Sequence, residues 1–437
     1  MKGGLEMKTT ARAISILLGI MILLSSASLA EGIERHNPLI DPQPITEYIA
    51  PAQNIKNILL LGIDKSDRAE QKGSDYHTDA IMVLAVNLDE KNVDMVSLPR
   101  DTLTYVPGVK GIYKLNAAIN CGGGKTEAGF EKVCEAASWV LGGIKIDYYC
   151  AVDMKAMIAI GDAIGGVDFE LDMSYSGQFG EYHKGLRHLD GKGIVDYLRA
   201  RRNATVNSND LGRTGRQREL IFTLFEKIRN DQSLLVNLLS TVQKMDHAVF
   251  TNMSVMDVMS YLPLALELDA SKVGSHVIAG KYRTALNDWN FTFTDQENRK
   301  KVIQEVYGVE VPELKYVSYE YTKWLVNNGF SMVRYLAVAN TLKQEVAAYD
   351  AAALSEEQRK AMDDFDLAYS EAQKAFDAAA QTMSKNDSTY MEKSAEELRK
   401  SGEALNSLFS NVKKPEWKSN KYWYADRLIN EIDVNFR

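Results

Sequence analysis

The sequence is short of the residues that most enzymes use to hold metals or activate nucleophiles. Its 437 residues include only three cysteines and six scattered histidines. No HExxH, CxxC or GxSxG pattern occurs, which excludes the familiar zinc and serine-hydrolase signatures. "GGGKT" at Gly122–Thr126 resembles the end of a nucleotide-binding loop, but the required leading glycine is Ile119, so it reads as a plain glycine loop. The chain also lacks a basic surplus: its formal net charge is −8, which argues against general nucleic-acid binding. No internal repeat is evident. Beyond the N-terminus, no segment is long and apolar enough to cross a bilayer.

The N-terminus itself reads as an export signal. Lys8 and Arg12 precede the apolar run "ISILLGIMILL", Ile14–Leu24, and small residues Ser28 and Ala30 follow in an A-x-A-like pattern. Residues 1–30 are therefore expected to be a cleaved signal peptide or an uncleaved membrane anchor, with the remainder outside the cytoplasm, secreted or anchored at the envelope. Such a compartment permits a disulfide between Cys121 and Cys134, leaving Cys150 as a free thiol. Three reduced, buried cysteines are the alternative.

Residues 31–54 read as a linker, 55–310 as one α/β domain. "NILLLGI" is a continuous apolar run, as expected of a strand covered on both faces. "AIMVLAVNL" and "VDMVSLP" follow as strands with "DEKN" turning between them. Phe130–Leu141 has helical spacing and stops at Gly142-Gly143. A strand "DYYCAVD", a helix Met154–Ala163 and a strand "GGVDFELD" continue the alternation, which implies layers around a sheet. A helix over Gly191–Leu198 and another from near Leu211 flank the polar loop "RNATVNSND". From 313 to 437 the pattern becomes wholly helical. Met362, Phe365, Tyr369, Ala372 and Phe376 form a packing stripe at steps of three and four. Leu398, Leu405 and Leu408 suggest a partner helix, with "SKNDS" turning between the two.

Within this acidic chain, Tyr197–Glu219 carries six arginines and no lysine. Arginine's planar fork suits a multi-oxygen anion. Arg199 and Arg201 share a side only on extended chain, so for both to grip one ligand the helix must end near Leu198. Arg213, Arg216 and Gln217 stand i, i+3, i+4 on one helix face, and Asp210 caps or flanks the helix start. Arginines on the first turns of a helix add to the free N–H groups and dipole there. Four of them suit a pyrophosphate. Phosphoryl transfer also calls for Mg²⁺ (or Mn²⁺), which takes one or two carboxylates. Asp64 ends the first strand and Asp79 begins the second, both at one rim of the sheet. Arg100 and Asp101 end the third strand at the same crevice.

Seven segments in order complete the picture: "NILLLGID", "TDAIMV", "VSLPRDT", "KLNAAI", "DAIGGVDFEL", "GLRHLDGKGIVDYLRAR" and "DLGRTGRQRE". Together they resemble the LytR–CpsA–Psr family of bacterial envelope proteins over about residues 57–308. The resemblance implies an α/β/α sandwich with a central mixed sheet that holds a polyprenyl (pyro)phosphate in an apolar tunnel. It also implies an enzyme that moves a glycopolymer from that lipid, at the outer face of the cytoplasmic membrane, onto peptidoglycan. By the same resemblance Arg100, Arg199, Arg201, Arg213 and Gln217 are pyrophosphate ligands, Asp64 and Asp79 hold Mg²⁺, and Asp210 orients the arginines. Asp101 is either a general base or a salt-bridge partner that orients Arg100. His77 stands where the family has an arginine, and Asp75 competes with Asp79 for the metal position. Lys114 and Asn116 match a family motif without an assigned role. A hydrolase of the same lipid and a non-catalytic lipid binder or envelope regulator are the rival functions. The helical segment 313–437 lies outside the family core.

Overall fold

The computed structural model describes residues 43–64, 76–200, 209–245, 248–268, 270–285, 289–415 and 417. The expected signal or anchor, Asp75 and Arg201 lie outside them. So do the side chains of Asp64, Asp210 and Arg213, whose backbones are described.

Three strands start the domain as an antiparallel meander: β1 (Ile55–Asp64), β2 (His77–Asn87) and β3 (Asn92–Ser97). The chain then forms the hairpin β4 (Leu103–Val106) and β5 (Val109–Lys114), a 3₁₀ segment Leu115–Gly122, and helix α1 (Glu127–Val140). Thr126 caps α1 by accepting the Gly129 N–H at 3.0 Å. Gly142 and Gly143, both at positive φ, end it where expected. Strand β6 (Tyr148–Asp153) returns parallel to β1. Beyond it come helix α2 (Met154–Ala163), β7 (Val167–Leu171), the short pair β8 (Tyr175–Ser176) and β9 (Glu181–Tyr182), and β10 (Gly185–Leu189).

Helices α3 (Gly191–Arg199), α4 (Asn209–Asn230) and α5 (Ser233–Lys244) follow. The domain closes with β11 (Val249–Thr251), α6 (Val255–Glu267), β12 (Val273–Val277), β13 (Gly280–Ala285), β14 (Trp289–Thr294) and α7 (Gln296–Tyr307). The main sheet has the order β11-β6-β1-β2-β3-β12 and is mixed: β6 joins β1, and β12 joins β3, in parallel.

The two faces of this sheet are filled unequally. Asn57, Leu59, Leu61 and Ile63 of β1 point to one face and are buried. There Phe130 of α1 stacks on Tyr149 at 5.0 Å, beside Leu59 in register. Ile58, Leu60 and Gly62 point to the other face and are only half-buried. Register sets Tyr148, Cys150 and Val152 of β6, and Ala80 and Leu84 of β2, beside them, and these too are half-buried. Helices α2 to α5 lie on this second side, where a smaller core gathers Phe169, Leu189, Tyr197, Leu220 and Leu224.

The C-terminal helices are α8 (Tyr319–Trp324), α9 (Phe330–Ala347), α10 (Glu356–Thr382) and α11 (Lys385–Ser407). The stripe expected on α10 is core: Phe365, Ala372 and Phe376 are buried, facing Leu398 and Leu405 of α11. This core is continuous with the filled side of the sheet. Tyr105 of β4 donates its hydroxyl to the Tyr316 carbonyl at 3.0 Å, and Phe293 meets Tyr319 edge-on at 5.4 Å. Arg299, fully buried, donates to the carbonyls of Val140 and Pro312.

Two local expectations are corrected. "SKNDS" is not a turn: Met383 alone turns the chain, at φ 52°, and Ser384 already caps α11 by accepting from Asp387. A serine three residues before an aspartate is a helix start as readily as a loop. Nor are Cys121 and Cys134 bridged; all three cysteines are free. Burial pushes the Cys121 thiol up to about 11 and the Cys134 thiol up to about 12.

Candidate active site

Asp79 owes its position to an irregularity in the ladder. Gly62 pairs with Ala80 and Ile63 with Thr78, so Asp79 is the extra residue of a β-bulge. A bulge re-aims its side chain, and here the carboxylate lines a cavity at the ends of β1 and β6. Across the ladder the Asp64 backbone pairs with His77, which places both expected metal aspartates at this rim.

Arg100 follows β3 at the same rim. Its backbone carbonyl accepts from the Asn116 N–H at 3.0 Å, and its Nη1 donates to Asp79 Oδ2 at 2.6 Å. Asp101 lies between two cations: Lys114 Nζ is 2.8 Å from Oδ1, and Arg100 Nε is 3.6 Å from Oδ2. Asp79, Arg100, Asp101 and Lys114 thus form a row of alternating charge. Asp101 is 7% exposed, and both its oxygens face cations. The contacts favour the orienting role over the basic one. Lys114, whose role the sequence left unassigned, anchors the row. The buried amide of Asn116 lies beside it, its backbone carbonyl accepting from Thr78 Oγ1 at 3.4 Å.

The arginine stretch reaches the cavity from the opposite side. Helix α3 ends at Arg199, and Ala200 is extended at φ −57°, ψ 131°. This is the helix stop that a joint grip by Arg199 and Arg201 requires. Arg199 lines the cavity and donates to Gln178 Oε1 at 3.0 Å. Helix α4 begins at Asn209, so Asp210 lies in its first turn, where a carboxylate suits the dipole.

Gln217 and Arg216 do different work. Gln217 lines the cavity while its Nε2 donates to the Leu198 carbonyl at 3.2 Å. Arg216 departs from the expectation drawn from spacing. It is 5% exposed, and its Nη2 donates to the Ala200 carbonyl at 2.9 Å. Both side chains satisfy carbonyls that the end of α3 leaves without helical partners. Arg216 holds the start of the arginine loop rather than facing the cavity.

Two residues escaped the sequence reading. Asp153, at the end of β6, lines the cavity and caps α2 by accepting from Ala156 at 2.9 Å. Lys125, from the segment read as a plain glycine loop, pairs with Asp153 at 3.2 Å and lies 4.8 Å from the Phe250 ring centre. The available signal was an aspartate at the end of a strand, the same placement that singled out Asp64. The other walls are Gly62, Ile63, Ala80, Val152, Met154, Met157, Val195 and Leu198. The cavity holds about 240 Å³ and joins a polar rim to the half-filled sheet face.

The LytR_cpsA_psr family model matches residues 23–312, two thirds of the chain. The chain belongs to this family. Among similar proteins are two named polyisoprenyl-teichoic acid–peptidoglycan teichoic acid transferase TagU. The one from Bacillus anthracis is 31% identical over 216 residues, 48% of this chain and 66% of that protein. The one from Bacillus mycoides is 32% identical over 191 residues, 43% of this chain and 58% of that protein. The chain thus spans just under two thirds, or less, of the length of these relatives. Among solved structures, B. subtilis TagV superposes with a TM-score of 0.50 at 22% identity, covering 60% of this chain and 99% of that one. A Streptococcus agalactiae protein also gives 0.50, at 24% identity, covering 59% and 90%. These two likenesses establish the α/β/α fold of this LytR–CpsA–Psr chain.

Proposed function

We propose that this protein is a phosphotransferase that moves a glycopolymer from a polyprenyl-pyrophosphate carrier onto peptidoglycan, outside the cytoplasmic membrane. One observation carries the reading: a cavity rimmed by Asp79, Arg199 and Gln217 opens onto an apolar sheet face left half-filled. An anionic head group fits the rim. An isoprenoid tail fits the face, where each buried methylene contributes about 0.8 kcal/mol. The names of the B. anthracis and B. mycoides relatives carry the same chemistry.

In the proposed reaction a sugar hydroxyl of peptidoglycan attacks the phosphorus that bears the glycan. The new P–O bond forms as the bond to polyprenyl phosphate breaks, and the hydroxyl proton passes to solvent or the departing phosphate. Arg199, with Arg201 and Arg213 beyond the described side chains, binds and orients the pyrophosphate oxygens. Arg100, held by Asp79 and Asp101, sits ready at the opposite side.

The rim also suits Mg²⁺. Such an ion needs only one or two protein carboxylates, its remaining positions going to water and phosphate. Asp79 lines the cavity and Asp64 ends the neighbouring strand, an all-oxygen set appropriate to a hard cation. Among the described residues no cluster of three or more metal-ligating side chains occurs, and this mode of binding does not need one. When bound, the ion neutralises phosphate charge.

The test is a transfer assay with the full chain, a synthetic polyprenyl-pyrophosphate saccharide and peptidoglycan oligomers. Mass spectrometry is expected to find a saccharide joined to peptidoglycan through a phosphodiester, with the yield lost in EDTA. Release of saccharide phosphate alone, across several acceptors, would replace transfer by hydrolysis. Full transfer by an Arg199→Ala, Arg201→Ala double variant would remove the arginines from the site.

A further inference from the structure

Helix α6 is attached to the sheet without being buried in it. None of its thirteen residues is buried. Its start is nevertheless firmly made: Ser254 and Asp257 form a reciprocal capping box. The Tyr148 hydroxyl donates to Asp257 Oδ1 at 3.0 Å, and the rings of Tyr148 and Tyr261 meet edge-on at 6.2 Å.

The opposite side of the helix faces outward and is apolar. Val255, Met256, Val258 and Met259 are 79%, 78%, 45% and 55% exposed. At 100° per residue they fall within one arc of about 160°. Leu262, Leu266 and Pro263 continue the same stripe and are partly or fully exposed. Four large apolar side chains on one exposed face form a patch, unlike the single ones that any surface carries. The helix has two acidic residues, and both are engaged. Asp257 is turned to Ser254 and Tyr148, and Glu267 pairs with Lys91 at 3.5 Å. Lys244, before α6 in the chain, and Lys272, after it, are exposed.

Its placement gives the patch a direction. Tyr148 starts β6 on the half-filled face, and Asp153 ends the same strand at the polar rim. The two lie about 16 Å apart at 3.3 Å per residue. A ligand with its head at the rim and its tail along that face runs toward α6.

We propose that the outward face of α6 beds into a bilayer surface, and that the lipid carrier enters the sheet face from there. A charge-poor apolar helix face with an exposed lysine, Lys91, beside its C-terminal end suits the interface of an anionic bilayer. The direction of entry rests on the cavity being the head-group site; the membrane contact itself does not.

The test uses the full chain on vesicles of phosphatidylglycerol and phosphatidylethanolamine that contain no polyprenyl lipid, so its outcome is independent of transfer. An environment-sensitive fluorophore is placed by Met256→Cys, by Met259→Cys and, as a control, by Leu367→Cys on α10. Leu367 is 65% exposed. Chain labelled without an added cysteine supplies the background from the native thiols. Quenching by doxyl-labelled lipid is expected to be at least threefold stronger at 256 and 259 than at 367. Equal quenching at all three sites would overturn the proposal. So would burial of the 256 label without lipid quenching, whether it depends on protein concentration, which marks a second copy, or not, which marks the chain's own Ile14–Leu24 segment. Val258→Cys keeps the test open if either α6 label prevents folding.

Discussion

Arg199 and Arg216 separate function from stability at the level of single residues. Arg199 is exposed at the rim, so Arg199→Ala is expected to leave Tm nearly unchanged while transfer falls at least 100-fold. Arg216→Ala strands a buried carbonyl, at a cost of about 1–3 kcal/mol, and should lower Tm before it affects chemistry in the folded fraction. Thermal denaturation beside the transfer assay reads both. The spacing of residues 213, 216 and 217 sets all three on one helical face, and Arg216 and Gln217, whose side chains are described, both turn to the end of α3. It did not reveal that this face also has to satisfy the end of α3, because Leu198 and Ala200 become neighbours of α4 only after folding. The thiols give a second residue-scale prediction. With its ionisation pushed from 9.0 up to about 11, Cys121 holds about 100-fold less thiolate near pH 8, and alkylation should be slower than in urea by about that factor. The sign for stability follows: the raised folded value means that stability is full below pH 9 and declines as pH rises toward 11.

At the scale of elements, the site depends on two helices that cross closely. A Cβ on Gly191 would meet the Ile158 carbonyl oxygen at 2.0 Å, and one on Gly161 would meet the Gly191 Cα at 2.7 Å. These glycines let the start of α3 lie against α2, and α3 carries Arg199 to the rim. Gly191→Ala is expected to cost about 1–3 kcal/mol through overpacking, with loss of transfer even in protein that remains folded. Circular dichroism melts and the assay together check it. The cap of α6 has its own pH dependence. Bonds from Ser254 and Tyr148 hold the Asp257 carboxyl below its ordinary value. Its contribution is therefore full above about pH 3.9 and fades as pH falls through the lower folded value. The protection factor for hydrogen exchange at the Asp257 amide, which Ser254 protects at 3.1 Å, should fall only in that acid range.

The molecule as a whole is tied together through its filled side. The C-terminal helices share one apolar core with β1, β2 and α1, and Arg299 joins the end of α1 to Pro312. Removing residues 313–437 uncovers Tyr105, Phe293 and their neighbours. Such a truncation is expected to aggregate or melt well below the full chain, whereas the full chain melts in a single transition. Two separate transitions in calorimetry, with the first assigned to the C-terminal helices, would show that the shared core does not couple them. The same asymmetry explains why the other side of the sheet is free to hold a ligand: the structural load is carried on the face that α1 and the C-terminal helices cover.

The amino-acid sequence by itself determined β1, β2, β3, β6 and β7 and helices α1 to α4, because apolar period and helix stops are local properties, whereas the hairpin β4–β5 and the domain's elements after α4 were not legible in it. It also determined the charge types at the rim, because carboxylates and guanidinium groups at strand and helix ends are visible in one dimension. Asp79, Arg100 and Arg199 were legible for that reason. Only the tertiary structure decided the bulge that aims Asp79 and the pairing of Asp101 with Lys114. It alone brought Asp153 to the cavity with Lys125 paired to it, diverted Arg216 to the α3 carbonyls, and left one sheet face half-filled. Each of those depends on residues far apart in the chain becoming neighbours. An apolar strand reads the same whether its face meets a helix or a cavity.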